Sequence, residues 1–441
     1  MAKQKSGSCI SRIRQFLAGA AVLTAMITHP SLSPNAYAGE QSPASKAAPL
    51  EEGVWRFIVS GDSRNCGDVV MPAIAAHSAE RFAPAFYWHL GDLRAIYKVD
   101  EDMAGAAQLA GQYLSCQNYI RIAWDDFIDH QIVPFGTTRF YLGIGNHETI
   151  PIEKGTLFRP KEEFLTQFED WLMTPRRQMW AADKDEIAAA TTGPCGRVAA
   201  ARPYISPTAY YHWIRGSVDF LYLDNSTGAF DKDQLDWFDC TLERARRKEK
   251  VRTVIVGMHE ALPDSRAAGH AMCDQAIRDP KEKQASCDSG KHVYDALVEL
   301  QKIKNVYVLA SHSHFYMRGI FDNRKPSDRL EGWIVGTAGA VRYPLPDGVD
   351  PGPDAIKDTY GYLVGTVHPE GTVAFAFEEV KETDVPAEVR KQYPSSLISW
   401  CYAKNSHAQT PDWEETTNRC VPTAELPAAQ PVRRKSAAPR K

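Results

Sequence analysis

WRFIVSGDSR, at residues 55–64, is an apolar run that ends in a polar turn carrying Asp62. The run has the length and composition of a buried strand, so Asp62 is predicted to lie where that strand ends. Four further stretches repeat the arrangement: AFYWHLGDLR at 85–94, RFYLGIGNHE at 139–148, TVIVGMHE at 253–260 and NVYVLASHSH at 305–314. In an open α/β sheet, ligands bind beyond the carboxyl ends of the strands. The five stretches therefore predict one site where carboxylate, amide and imidazole groups converge, the layout of a two-metal hydrolase.

Outside these stretches the apolar spacing alternates between the periods of strands and helices. Helices are predicted at 68–82, 101–114, 119–131, 161–172 and 233–248. Residues 210–214 and 218–226 form a predicted antiparallel hairpin, and the pair 362–368 and 372–380 is expected to complete a second sheet with 333–340. The predicted fold class is α/β, a four-layer α/β/β/α sandwich of two mixed β-sheets flanked by helices.

The two ends of the chain differ in composition from its middle. Residues 1–38 combine early cations, an apolar stretch at 16–27 and an A-x-A sequence at 36–38, which predicts a signal peptide, the alternative being a retained membrane anchor. A flexible linker is predicted at 39–53, the folded domain at 54–383 and a C-terminal extension at 384–420. Residues 421–441 are predicted to be a disordered basic tail, either solvated or in contact with an anionic envelope surface.

Charge and cysteine content point to an exported protein that does not bind nucleic acid. The net charge is −4, and removal of residues 1–38 would take four cations and no acidic residue with it. We therefore expect a periplasmic or secreted chain with no stable membrane insertion after signal cleavage, in an oligomeric state that the sequence does not reveal. Eight cysteines then remain, and disulfides are predicted, with Cys273–Cys287 and Cys401–Cys420 preferred because each closes a short polar loop. Buried free thiols are the alternative.

Two stretches with weak periodicity interrupt the domain. They lie at 175–209 and at 263–291, and the first is expected to cover the rim of the site. Both insertions are expected to set the choice of substrate, but their composition does not indicate which substrate that is.

The ordered set of motifs resembles one known family. Asp in GDSR, the second GD, GNHE, an isolated His after a strand, and H-x-H resemble the calcineurin-like metallophosphoesterase superfamily, and within it the exported branch similar to purple acid phosphatases, over about residues 54–380. The resemblance implies two divalent or trivalent metal ions, bridged by Asp92. It places Asp62 and His314 on the first ion, and Asn146, His259 and His312 on the second. This mixture of ligands suits Fe, Mn or Zn.

The implied reaction is hydrolysis of a small phosphate ester, either a monoester or a diester. A hydroxide that bridges the two ions would attack phosphorus in line with the leaving oxygen. The resemblance assigns His147 to protonate the leaving alkoxide or to stabilise charge there, while Glu148 is expected to orient His147 or a loop.

The first motif departs from the family pattern at Arg64. Many members carry a ligating His at that position, and the acid phosphatase branch compensates with a Tyr where this chain has Ala95; Tyr97 is a doubtful substitute. A guanidinium cannot bind a cation, so Arg64 is expected either to contact the substrate phosphate or to pair with a loop carboxylate. Arg94 has the same two interpretations, with the structural one preferred.

Two other classes of function stay open. The chain could be a non-catalytic phosphate- or partner-binding protein with a degenerate first metal site, or an enzyme with another substrate, such as a nucleotidase or a phospholipid-headgroup diesterase. The remaining histidines are expected to be structural or exposed, namely His77, His89, His130, His212, His270, His292 and His368.

Overall fold

The computed structural model describes residues 50–150, 160–177, 192–201, 208–267, 270–274 and 279–406, with the single residues 183, 277 and 420. All of them belong to the larger of the two units into which the chain divides, Ser45–Lys441. The predicted signal peptide, residues 39–49 of the linker, the basic tail and much of the stretch 175–209 lie outside the described residues. Of the helices in the described part, none has the length and apolar character needed to cross a membrane.

Twelve strands in the described residues form two mixed sheets. They are β1 Trp55–Ser60, β2 Phe86–His89, β3 Arg139–Leu142, β4 Tyr211–Arg215, β5 Val218–Leu223, β6 Thr253–Met258, β7 Asn305–Ala310, β8 Tyr316–Arg318, β9 Glu331–Val335, β10 Ala355–Ile356, β11 Gly361–Val367 and β12 Val373–Glu379. The five-stranded sheet has the order β12-β11-β1-β2-β3, and the seven-stranded sheet has the order β10-β8-β9-β7-β6-β5-β4. β1, β2 and β3 are parallel neighbours, and so are β5, β6, β7 and β9.

Aromatic side chains join the two sheets face to face. Phe57 and Phe86 of the five-stranded sheet meet Phe220 of β5 with ring centroids 5.1 and 5.2 Å apart. Trp88 fits between the sheets because Gly257 of β6 has no side chain, and a Cβ at that position would overlap the indole ring. The buried faces of both sheets therefore form one interlocked core.

Helices cover the outer faces of the sheets. The described α-helices are α1 Gly67–Phe82, α2 Glu101–Leu109, α3 Cys116–Phe127, α4 Pro160–Gln167, α5 Gly193–Ala201, α6 Lys232–Arg247, α7 Pro280–Gln301, α8 Ala387–Gln392 and α9 Ser395–Ala403. Residues 169–177 are also helical. The described part further contains a π-helical turn at Ile128–Ile132 and 3-10 turns at Val133–Phe135, His147–Thr149, Pro326–Asp328 and Glu382–Asp384. α1 packs on β2 and β11, while α6 and α7 share an apolar cluster with β5, β6 and β7. The predicted α/β fold of two mixed sheets between helices is confirmed.

One strand assignment was wrong. The predicted pair at 362–368 and 372–380 exists as β11 and β12, but it joins the five-stranded sheet through β1, whereas β9 lies in the seven-stranded sheet. Trp55 of β1 pairs with Val367 of β11 across an antiparallel register. The prediction placed β9 and β11 in one sheet because they are close in sequence. In the structure β11 pairs with β1, which is far away in sequence, and β9 pairs with β7.

The C-terminal extension contains the helices α8 and α9 and is attached by disulfides. Cys273–Cys287 forms as predicted, but the predicted Cys401–Cys420 bond is wrong. Cys401 bonds to Cys66, and Cys420 bonds to Cys116. A fourth bond, Cys195–Cys240, joins α5 to α6. The buried face of α9 packs beside the start of α1, so the neighbour of Cys401 in space is 335 residues away in sequence.

Candidate metal centre

The polar residues that follow five strands meet between the carboxyl ends of the two sheets. Asp62, Asp92 and Asn146 follow β1, β2 and β3, whereas His259 follows β6, and His312 and His314 follow β7. Each sheet thus contributes ligand atoms to one centre. The structure brings together all six residues that the motifs single out as metal ligands.

Three of these residues have strained backbones. Asp62, Asp92 and His312 have φ angles of 61°, 59° and 64°. Non-glycine residues rarely adopt this left-handed conformation, which costs on the order of 1–3 kcal/mol each and is concentrated at functional sites. The surrounding hydrogen bonds hold these turns in place: the Asp62 amide donates to Gly91 O, and the His312 amide donates to Asp62 Oδ2.

The first cluster consists of Asp62, Asp92 and His314, whose ligand atoms all lie within 4.8 Å of one another. His314 Nδ1 donates to Val341 O at 2.6 Å, so the neutral ring presents the lone pair of Nε2 on its other side. That nitrogen lies 3.3 Å from Asp62 Oδ1, a buried oxygen with no hydrogen-bond partner among the described residues. Two acceptor atoms therefore face each other with space for a shared cation.

The second cluster consists of Asp92, Asn146, His259 and His312. His259 Nδ1 donates to Leu90 O at 3.2 Å, which leaves Nε2 facing Asn146 Oδ1 at 2.9 Å and Asp92 Oδ1 at 3.3 Å. His312 Nδ1 lies 3.1 Å from the same His259 nitrogen. The four side chains therefore aim acceptor atoms at a common point.

Asp92 belongs to both clusters. One carboxylate oxygen, Oδ1, faces His259, and the other, Oδ2, is buried without a hydrogen-bond partner in the described part of the chain. A carboxylate shared in this way fits the role of a bridge between two cations. The N and O donors match the preferences of Fe, Mn or Zn, so the residues present fit the metals that the motifs imply.

Burial and charge shift the pKa values at the centre in both directions: those of Asp62, Asp92 and His312 are lowered. Burial lowers the pKa of His259 as well, but the charges of Asp92 and Asp62 outweigh it and raise that pKa. Burial raises the pKa of Asp62, but the neighbouring His314, His259 and Arg64 outweigh it and lower that pKa below its usual value. Burial likewise raises the pKa of Asp92, and the charges of His147 and His259 bring it below the usual range. Burial and the charge of His259 lower the pKa of His312 well below its ordinary value.

Two glycines allow the loops that carry Asp92 and Asn146 to approach each other. A Cβ at Gly145 would overlap Asp92 Oδ1, and a Cβ at Gly91, where φ is +101°, would overlap the backbone of Ile144 and Gly145. Glycine is therefore required at both positions for the loops after β2 and β3 to pack together.

His147 lies beside Asp92 and is held by the backbone. Its amide donates to Asp92 Oδ1 at 3.0 Å, and its Nδ1 donates to Ala95 O at 2.8 Å. Nε2, the ring nitrogen that does not contact Ala95 O, lies 3.6 Å from Asp92 Oδ2. Burial and the charge of Arg64 lower the pKa of His147 to about 4.

Glu148 and His89 support the loops from below. Glu148 is fully buried and accepts hydrogen bonds from the amides of Asp92, Leu93 and Gly145. His89 contacts Ser63 Oγ through Nε2 at 3.0 Å and accepts from the Gly91 amide. Glu148 thus ties the GDLR and GNHE loops together, in line with its expected orienting role, and both side chains act as supports.

The two arginines next to the Asp motifs have different surroundings. Arg64 is 4% exposed, and its Nε lies 3.7 Å from Asp92 Oδ2, so its charge is inside the centre. Arg94 is fully buried and pairs with Asp68 at 2.6 Å and Asp102 at 3.4 Å. The structural interpretation therefore applies to Arg94, whereas the carboxylate beside Arg64 is a candidate metal ligand.

The sequence reasoning missed the contribution of His270, which it classed with the structural or exposed histidines. The His270 ring lies 5.3 Å from the ring of His312 and 5.2 Å from that of Tyr343, which stacks on His314 at 4.1 Å. His270 and His312 line a cavity of about 320 Å³ with Glu260 and Asp274. The location of His270 in the polar insertion after His259 was the one available signal. A larger cavity of about 700 Å³ borders β8, β9 and β10, and none of its described lining residues belongs to the two clusters.

No protein-family model matches the chain, and no curated protein matches it. Among similar solved structures is the purple acid phosphatase PPD1 from seeds of yellow lupin (Lupinus luteus), with a TM-score of 0.46 and 16% identity over 76% of this chain and 53% of that one. GAP50, the anchor in the inner membrane complex of Plasmodium, has a TM-score of 0.42 and 11% identity over 75% of this chain and 86% of its own. PhoD has a TM-score of 0.42 and 13% identity over 76% of this chain and 70% of its own.

The chain spans about half the length of the lupin phosphatase. All three structures are only distantly similar to the chain, so any inference about function depends on the side chains of the centre. A purple acid phosphatase thus stands among the solved structures that are similar to the chain.

Proposed function

We propose that the chain is a metal-dependent phosphoesterase that hydrolyses small phosphate esters at a binuclear centre. The observation that carries the proposal is the pair of clusters that share Asp92, in which buried carboxylate oxygens and imidazole nitrogens face one another. Unpaired acceptor atoms in a buried site are costly unless a cation joins them. The set therefore supports binding of two metal ions.

The proposed roles follow from the contacts of each side chain. Asp62, Asp92 and His314 would hold one ion, and Asp92, Asn146, His259 and His312 the other. Bound metals would make hydroxide available near neutral pH and neutralise phosphoryl charge. Val341 O and Leu90 O orient the rings of His314 and His259 through their Nδ1 protons.

His147 and Arg64 are the proposed substrate contacts. With Nδ1 held by Ala95 O, His147 directs Nε2 towards the space beside Asp92, where the protonated ring would hold a proton for the leaving oxygen. Because burial and the charge of Arg64 lower the pKa of His147 to about 4, this form is favoured at acidic pH. The guanidinium of Arg64 lies at the same edge and has the planar geometry to hold phosphoryl oxygens.

The test combines metal content with hydrolysis. Purified protein is analysed by elemental mass spectrometry and assayed with p-nitrophenyl phosphate and its bis ester in the presence of Mn, Fe, Zn or Mg. We expect about two metals per chain, and His147→Ala is expected to lower turnover by at least about a hundredfold while retaining both. His292→Ala is the matched control, because His292 pairs with Asp239 on the surface. Wild-type turnover in metal-loaded His147→Ala would exclude the role of His147.

A second candidate, a non-catalytic phosphate- or partner-binding protein, is favoured by one observation. Arg64 occupies the place of a family ligand, and its charge lies 3.7 Å from Asp92, where it disfavours a cation. One metal or none per chain, without turnover on either ester, would support this candidate against the enzyme.

We also propose that the protein is exported, to the periplasm or beyond the cell. The four disulfides support this location, since such bonds persist in oxidising compartments. The boundaries 54–383 and 384–420 for domain and extension are part of the same proposal, as is the absence of nucleic acid among its partners.

A further inference from the structure

A residue of the C-terminal extension reaches two segments beside the first cluster. These segments are the loop of residues 61–66, which carries Asp62, and residues 339–342, which follow β9. Asn405 lies two residues after α9 and is fully buried. It is the point at which the extension contacts both segments.

The side chain of Asn405 makes three contacts through one nitrogen. The two protons of Nδ2 have three acceptors within reach: Tyr360 Oη at 2.7 Å, Gly339 O at 3.2 Å and Cys66 Sγ at 3.5 Å. The backbone carbonyl of Asn405 accepts hydrogen bonds from the backbone amide of Arg342 at 3.1 Å and from Arg342 Nε at 3.0 Å. The disulfide Cys66–Cys401 fastens the same loop to α9. Asn405 therefore holds both ends of the segment 339–342.

That segment in turn orients two residues of the first cluster. The Ala340 amide donates to Asp62 O at 2.8 Å, which supports the strained turn at Asp62. Val341 O accepts from His314 Nδ1 at 2.6 Å and so determines which nitrogen of His314 faces Asp62. Displacement of residues 339–342 would move the carbonyl that aligns His314 and the amide that supports Asp62.

We propose that Asn405 is a positioning residue for the first cluster, through which the C-terminal extension sets the affinity for the first metal ion. The inference rests on the proposed function. The first cluster depends on such support because it offers three candidate ligand side chains, whereas the second cluster offers four, so the orientation of each one counts for more.

The second cluster has its own asparagine in an equivalent role. Asn225, also fully buried, accepts from the amides of His259 and Glu260 at 3.2 and 3.1 Å and donates to Glu260 O at 2.7 Å. Asn225 comes from the loop after β5, within the sheet framework. In this proposal a residue of the C-terminal extension positions the first cluster, whereas a residue of the loop after β5 positions the second.

The experiment measures Mn²⁺ affinity and stoichiometry on the full chain, by isothermal titration and elemental mass spectrometry. Asn405→Ala is measured as a single variant and in two double variants. One double variant also carries His314→Ala, which is expected to remove the first ion, and the other carries His259→Ala, which is expected to remove the second. We expect Asn405→Ala to weaken Mn²⁺ binding roughly tenfold in the otherwise wild-type protein and in the His259→Ala background. In the His314→Ala background we expect no further loss of Mn²⁺ affinity. Asn305→Ala is the matched control, since Asn305 bonds Thr253 Oγ1 at the opposite ends of the strands.

Thermal unfolding of the metal-free proteins separates positioning from folding. Arg342→Lys, which removes the Nε contact with Asn405 O, provides a second variant and is expected to weaken Mn²⁺ binding in the same background. Wild-type affinity in both variants, or an equal loss on His314→Ala and His259→Ala, would overturn the proposal. A wild type that binds two ions without hydrolysing either ester would overturn the proposed function alone, whereas one that binds no Mn²⁺ would overturn both.

Discussion

Two buried groups of carboxylates and imidazoles differ in where their positive charge comes from. One is the candidate metal centre, and the other, which we call the Arg94 network, surrounds Arg94 with Asp68, Asp100, Asp102, Asp126 and His130. Each contains residues whose possible ligand atoms lie within 4.8 Å of one another. By residue types alone, both could hold a metal.

In the Arg94 network the chain itself supplies the cations. The guanidinium pairs with Asp68 and Asp126, and His130 Nδ1 lies 3.1 Å from Asp126 Oδ1. In the metal centre, by contrast, Asp62 Oδ1 and Asp92 Oδ2 find no hydrogen-bond partner among the residues described. The difference teaches that a carboxylate cluster indicates a metal site where some of its buried oxygens receive no hydrogen bond, even though a guanidinium lies nearby.

The largest expected effect distinguishes the groups by one isosteric change in each. Asp92→Asn removes the charge shared by the two clusters, so we expect metal content to collapse and hydrolysis to fall by at least about a thousandfold, roughly 4 kcal/mol. Asp126→Asn should leave two metals per chain and near wild-type turnover. Elemental analysis and p-nitrophenyl phosphate hydrolysis measure both. Metal loss in Asp126→Asn would remove the distinction between the two groups.

The next effect compares the two arginines. Arg94→Gln leaves buried carboxylates without their counterion, so the free energy of unfolding should fall by about 3–5 kcal/mol in chemical denaturation. Arg64→Gln should instead lower kcat/KM by about tenfold or more, through the loss of a charge-assisted hydrogen bond of ~1.5–3 kcal/mol to the phosphate. If Arg64→Gln keeps full kcat/KM, Arg64 does not bind the substrate.

The smallest effect is a pH dependence of the Arg94 network. Burial lowers the pKa of His130, but the hydrogen bond to Asp126 and the charge of Asp68 outweigh it and raise that pKa to about 9. The stabilisation is therefore complete below about pH 6.5 and is lost as the pH rises through about 9. Because the His130 side chain is 35% exposed, we expect only on the order of 1 kcal/mol.

The measurement compares wild type with His130→Gln in chemical denaturation at pH 6 and pH 10. The difference in unfolding free energy between the two proteins should shrink at pH 10. An equal difference at both pH values would contradict the paired, protonated state of His130.

Local sequence was sufficient for the elements and insufficient for their long-range partners. α1 was predicted at 68–82 and is observed at Gly67–Phe82, since apolar periodicity records which face of an element is buried. Cys401 was paired with Cys420 because a short loop was preferred, yet it bonds to Cys66. The disulfide follows the packing of α9 on the loop before α1, which no local pattern records.

At the edge of the candidate centre, too, local sequence did not identify residues that come from distant parts of the chain. The motifs named six ligands that the structure brings together, because each follows a strand whose end lies at the same edge. His270 and Asn405 carry no comparable signal, since each reaches the centre from an insertion or an extension. The predicted roles of His147 and Arg64 stay predictions until turnover is measured.

By itself the sequence determined the α/β class, the strands and the polar residues at their ends, because burial on both faces imposes continuous apolar runs and a turn must follow each one. Only the tertiary structure decided which strands share a sheet, which cysteines meet, and that Arg94 is neutralised by Asp68 whereas Asp92 Oδ2 stays without a donor among the described residues. The physical reason is that these outcomes depend on distances between residues remote in sequence, which the packing of the two sheets and the C-terminal helices sets.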